Sequence, residues 1–84
     1  MTCQIEFSPD FSKQLVKLKK KDRVMHERVS KKLEEIAENP EHYKPLRGDL
    51  SGKRSVHFDP FVLVFRLEED IVYVLYIKHH DEAY

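Results

Sequence analysis

Apolar and polar residues change their spacing twice along the chain. Cys3, Gln4, Ile5, Glu6 and Phe7 alternate at period two, as a short half-buried strand does, and predict a first strand over residues 3–7. Ser8-Pro9-Asp10-Phe11 then carries a helix start. Ser8 can cap the first turn, and Pro9 takes the first helical position, where its missing N–H costs nothing. Phe11, Leu15 and Leu18 follow at i, i+4 and i+7, so they share one face and the lysines between them point to water; this helix ends near Lys20. Asp22 caps a second, longer helix whose apolar stripe is Met25, Val29, Leu33 and Ile36, and Asn39-Pro40 stops it. So few residues separate the two helices that they should form an antiparallel hairpin.

Residues 40–52 read as a loop holding Pro45, Gly48 and Gly52, with both glycines of the chain where turns need a positive φ. Beyond it the period returns to two. Strands are expected over residues 54–58, 61–67 and 71–78, joined by turns at Asp59-Pro60 and Glu68-Glu69-Asp70. The run Phe61-Val62-Leu63-Val64-Phe65 is apolar on both sides and therefore suits the centre of a sheet. The order predicts an α+β fold, β-α-α-β-β-β, with a helical hairpin packed on one face of a small, mostly antiparallel sheet. Residues 1–84 form one domain in this reading, and the sheet's second face is left partly open for binding or chemistry.

Composition narrows the class. The 84 residues include 36% charged and 40% hydrophobic side chains, enough for a folded globule and too polar for a membrane protein. A lone cysteine, Cys3, excludes an intrachain disulfide and is expected to be a small buried apolar residue. No basic stretch followed by an apolar run opens the chain, and no segment nears the ~20 apolar residues of a membrane span, so a cytoplasmic location without membrane contact is expected. The net charge is zero but unevenly spread. Residues 13–32 carry nine Lys/Arg against Asp22 and Glu27, whereas residues 67–84 carry five acids against Lys78. The basic stretch is either a solvated helix surface or a phosphate-tracking patch.

No glycine-rich phosphate loop, cysteine pair, HExxH or Gly-x-Ser-x-Gly is present, so no cofactor is expected. What remains is a set of proton donors in the C-terminal half: Lys44, Arg47, Lys53, Arg54, His57, Arg66, His79, His80 and Tyr84. Such a set fits metal-free RNA cleavage. A base takes the ribose 2′-OH proton, an acid protonates the leaving oxygen, and cations stabilise the charge gathering on phosphorus. His79 or His80 can act as base or acid, Tyr84 can hold the phosphate or join the proton transfer, and Arg54 with Arg66 can supply positive charge. Alternation places Arg54 and His57 on opposite faces of their strand, so only one of them can face the groove unless a bulge intervenes. Arg54 and Arg66 are otherwise ordinary surface or ion-pair residues, and His42 and His57 structural ones. His79-His80-Asp81-Glu82 lacks the spacing of a metal site, so no metal is expected.

Four segments carry a family resemblance: Ile5-Glu6-Phe7-Ser8-Pro9-Asp10-Phe11, Lys44-Pro45-Leu46-Arg47-Gly48, Val62-Leu63-Val64-Phe65-Arg66 and His79-His80-Asp81-Glu82-Ala83-Tyr84. In order and spacing they resemble the RelE/ParE toxins over nearly the whole chain. The resemblance implies an endoribonuclease that cleaves mRNA, usually on the ribosome, and that a co-encoded antitoxin neutralises. It also implies two non-nuclease alternatives, a gyrase-directed branch and a silent member that only binds its antitoxin. Under the nuclease reading, His79, His80 and Tyr84 are the catalytic group and Lys44, Arg47, Lys53, Arg54 and Arg66 contact phosphate. Val62 stands where many RNA-cleaving members have Arg, and the stretch before Tyr84 is partly acidic where many have Arg.

Overall fold

The computed structural model describes residues 3–45 and 52–79, with Lys44 described by its backbone alone. Strand β1 (Gln4–Phe7) leads into helices α1 (Pro9–Lys21) and α2 (Arg23–Glu38). A 3-10 turn at Pro40–His42 and a two-residue strand, β2 (Lys44–Pro45), come next. Strands β3 (Lys53–Phe58), β4 (Phe61–Glu68) and β5 (Ile71–His79) follow as a meander. They form a five-stranded sheet of order β1-β5-β4-β3-β2, in which only the β1–β5 pair is parallel. The expected order and the central place of β4 are observed; β2 and the 3-10 turn are additions inside what the sequence showed as loop.

Local chemistry explains the helix boundaries. Ser8 Oγ accepts the Phe11 N–H at 3.0 Å and Asp22 Oδ1 accepts the Met25 N–H at 3.1 Å, so each helix has a side-chain cap for an otherwise orphaned donor. Asp22 also ends α1, its own N–H reaching Leu18 O at 2.7 Å. One residue therefore serves both helices and keeps the hairpin tight. Gly52 adopts φ +88°, a conformation that strains any residue with a Cβ, which accounts for glycine at the entry to β3.

The core lies between the hairpin and one sheet face. Phe11 from α1 and Val29, Leu33 and Ile36 from α2 pack with Val56, Phe58, Leu63, Phe65, Val72, Val74 and Ile77. Cys3, expected to be buried, is half-buried at the margin of this cluster, where its N–H donates to Ala37 O at 2.8 Å.

A bulge in β5 and the edge it shares with α1 set which residues reach each face. Val64 pairs with Tyr76 but Phe65 pairs with Val74, so β5 carries one extra residue, Leu75, in a bulge. The bulge reverses the alternation: Val72 and Val74 face the helices before it, and Ile77 and His79 after it. β1 stops pairing at Val74, and α1 takes over the edge of β5 from there. Ser8 Oγ donates to Leu75 O at 2.5 Å, and the Gln14 amide both donates to Ile77 O and accepts from Ile77 N–H, each at 2.9 Å. Gln14 thus substitutes for a neighbouring strand. Gln14→Leu is expected to cost about 1–3 kcal/mol, because it strands a part-buried donor and acceptor together. Urea unfolding would check this; a change under ~0.5 kcal/mol would mean that water satisfies both groups.

Candidate functional site: the face away from the helices

Register and alternation sort the strand residues into two faces. Leu63 and Phe65 join the helix-side core, whereas Val62 and Val64, equally buried, lie outside that cluster on the other face. Three rows cross this second face. Lys53, Arg66 and Tyr73 are in register on β3, β4 and β5, with Glu6 of β1 continuing the line. Ser55, Val64 and Tyr76 form the next row, and His57, Val62 and Lys78 the third.

Side-chain contacts agree with this sorting. The Arg66 guanidinium lies 6.0 Å from the centre of the Tyr73 ring and forms an ion pair with Glu68 at 3.1 Å. That pair is exposed, and exposed pairs contribute only about 0–1 kcal/mol, so an incoming phosphate can compete for Arg66. Lys78 Nζ lies 5.2 Å from the centre of the Tyr76 ring. The face therefore combines two aromatic rings, three cations and a histidine, which can bind a polyanion and exchange protons.

The structure brings some of the expected residues together and separates others. Lys53 and Arg66 are cross-strand partners on the second face. Arg54 pairs with Phe65 on the helix side, and its Nη1 donates to Tyr43 O at 2.8 Å, tying β3 to the chain entering β2. It does not join Lys53 and Arg66, and His57 takes the place on the second face that only one of the two could hold. His79 also lies on the helix side, its ring 5.9 Å from that of Phe61. Together with Gln14, Lys17, Leu18, Lys21 and Phe61 it lines a groove of about 590 Å³ beside α1. His79 does not share a face with Lys53 and Arg66, because the bulge turns Ile77 and His79 toward α1. Arg47, His80 and Tyr84 lie outside the described residues, as does the side chain of Lys44.

Tyr73, Tyr76 and Lys78 escaped the sequence reading. Their signal was an aromatic-cation pair at period two, Tyr76 and Lys78, but assigning its face requires knowing of the bulge. Tyr43, whose ring meets Phe65 at 6.0 Å, has its phenol pushed above the usual value by burial, so it stays a neutral hydroxyl across the physiological range. Its contribution to stability is present below the ordinary phenol range and lost as pH rises through the raised value.

Among the described residues no group of three or more His, Cys, Asp or Glu is placed to hold a metal ion, and no helix is long and apolar enough to cross a membrane.

Comparison with known proteins agrees with this architecture. Residues 5–84 match the family described as the ParE toxin of the type II toxin-antitoxin system parDE. A Methanocaldococcus jannaschii relative assigned as toxin RelE4 is 43% identical over 84 residues, which is 96% of this chain and 89% of the relative. The fold is similar to that of a chain in the RelBE2 toxin-antitoxin complex of Mycobacterium tuberculosis, with a TM-score of 0.78 and 23% identity over 94% of this chain and 99% of that one. It is similar again to the YoeB dimer of Staphylococcus aureus, with a TM-score of 0.79 and 20% identity over 95% and 99% of the two chains. The chain belongs to the ParE toxin family of type II toxin-antitoxin systems, within the RelE/ParE superfamily.

Proposed function

We propose that the protein is a toxin that cuts mRNA by metal-independent attack of a ribose 2′-OH on the adjacent phosphorus, with translating ribosomes as the setting. The observation that carries this reading is the placement of Lys53, Arg66, His57 and Lys78 on one sheet face beside two tyrosine rings. In the reaction the 2′ oxygen bonds to phosphorus as its proton passes to a base. The bond from phosphorus to the 5′ oxygen breaks as an acid protonates that oxygen, leaving a 2′,3′-cyclic phosphate and a 5′-hydroxyl. Lys53 and Arg66 stabilise the phosphate's developing charge, with Arg47 and Lys44 adding contacts. His57 exchanges protons on this face, and His80 and Tyr84, carried over from the family resemblance, complete the acid, base and positioning roles. A cytoplasmic site of action follows from this substrate.

The partner in this reading is an antitoxin encoded with the toxin, whose inhibitory segment combines acidic and apolar residues. The exposed lysines of α1 and the groove that contains Lys17, Leu18, Lys21 and Phe61 offer the complementary surface. Its association should slow as salt rises and should raise the toxin's melting temperature by mass action.

Controlled expression in a bacterial host tests the activity. Growth should arrest, and transcripts should be cut inside translated regions. Purified toxin should cut RNA in ribosome-containing extract without added metal. Intact transcripts together with blocked DNA supercoiling would assign the chain to the gyrase-directed branch instead, and arrest of neither kind would leave a member that only binds its antitoxin.

A further inference from the structure

The row His57–Val62–Lys78 runs parallel to the Lys53–Arg66–Tyr73 row, four residues away along β4. At strand rise that is roughly 13 Å, far enough that one RNA strand crossing the face would meet the two rows with different phosphates. The middle of the third row is the buried, uncharged Val62. Lys78 is its lysine or arginine, and stands two strands from His57, roughly 10 Å away. Lys78 is exposed, yet its ammonium is not left to wander, because it lies 5.2 Å from the centre of the half-buried Tyr76 ring. A lysine held by the face of an aromatic ring loses part of its conformational freedom in advance. The bulge at Leu75 is what puts both residues here; unbroken alternation from Val72 and Val74 would have sent Tyr76 and Lys78 toward the helices.

We propose that Lys78 contacts an RNA phosphate flanking the scissile one, and that Tyr76 is a positioning residue that holds Lys78 in place. The proposal rests on the RNA-cleaving reading above and assigns a cation on β5 to the side of the site where β4 presents Val62. Its substrate class is single-stranded RNA, since a sheet face with cations and half-buried aromatic rings follows a splayed-out strand better than a duplex.

The test is equilibrium binding of the full chain to a short single-stranded RNA bearing 2′-O-methyl groups throughout, which binds without being cut, over a range of salt. Lys78→Ala should weaken binding about 5-fold at low salt and reduce the slope of log affinity against log salt by about 0.7, the value for one phosphate contact on a single strand. Lys78→Arg should restore that slope. Tyr76→Leu should weaken binding by roughly 2- to 5-fold, and Tyr76→Phe, which keeps the ring face, should recover it. Lys31→Ala on α2 serves as the charge-matched control. An unchanged slope in Lys78→Ala, or an equal change in Lys31→Ala, overturns the assignment of Lys78 while leaving the RNA reading intact. Equal losses in Tyr76→Leu and Tyr76→Phe overturn the role of Tyr76. Failure of the unaltered protein to bind the RNA at all overturns the RNA reading, and this proposal with it.

Discussion

His57→Ala is expected to lower the rate of RNA cleavage by about 10²-fold or more while leaving the protein folded, because one well-placed acid or base contributes about that much. His57 lies on the face that also carries Lys53, Arg66 and Lys78, and its strand position is exposed, so its removal leaves no cavity in the core. Single-turnover cleavage by His57→Ala and His79→Ala, each checked by circular dichroism, separates the two histidines. His79 lines the groove beside α1, so the larger loss should fall on His57. The reverse order would place the chemistry on the helix side and sink the assignment of the site to the face away from the helices. Lys53→Ala combined with Arg66→Ala should lower cleavage as well and flatten its salt dependence, as the proposed phosphate contacts of both cations require.

Phe65→Ala should be the most damaging single change to stability, at about 3–5 kcal/mol, the usual cost of emptying a fully buried aromatic site. Phe65 is 0% exposed at the centre of β4, its ring meeting Tyr43 and its backbone paired on both sides. For a chain of this size each kcal/mol shifts the melting temperature by roughly 4–8 °C, so a fall of more than ~10 °C is expected by calorimetry. A fall of only ~2 °C would mean that the hairpin closes over the vacated space, contrary to the packing described.

Much of this fold was legible before any coordinates, for identifiable reasons. Ser8-Pro9, Asp22 and Asn39-Pro40 are local signals whose effect depends on neighbours a few residues away, and the helices begin and end at them. The doubly apolar run of β4 revealed its central place because burial on both faces leaves no polar alternation. The site was less legible. Arg54 and His57 could be placed on opposite faces, but which face lay under the helices depended on long-range packing of Val56 and Phe58. The faces of Tyr76, Lys78 and His79 depended on a single extra residue in β5, and nothing about Leu75 itself announces a bulge. The role of Gln14 was equally hidden, since a glutamine on a helix facing a strand edge 63 residues away leaves no periodic trace.

The parallel pairing of β1 with β5 sets a timetable for the protein's synthesis. Gln4 has its register partner in Ile71, 67 residues later, so the first strand to be made waits for the last before it gains a neighbour in the sheet. The hairpin of α1 and α2 can form early from contacts close in sequence, whereas the sheet closes only after β5 has been translated, and contacts of such long separation form slowly. The rows proposed to face RNA draw on β3, β4 and β5 together, so a nascent chain has no assembled site until β5 has left the ribosome. Under the RNA-cleaving reading, the growing chain carries no assembled site while β5 is still to be made, at an elongation rate of roughly 5–20 residues per second.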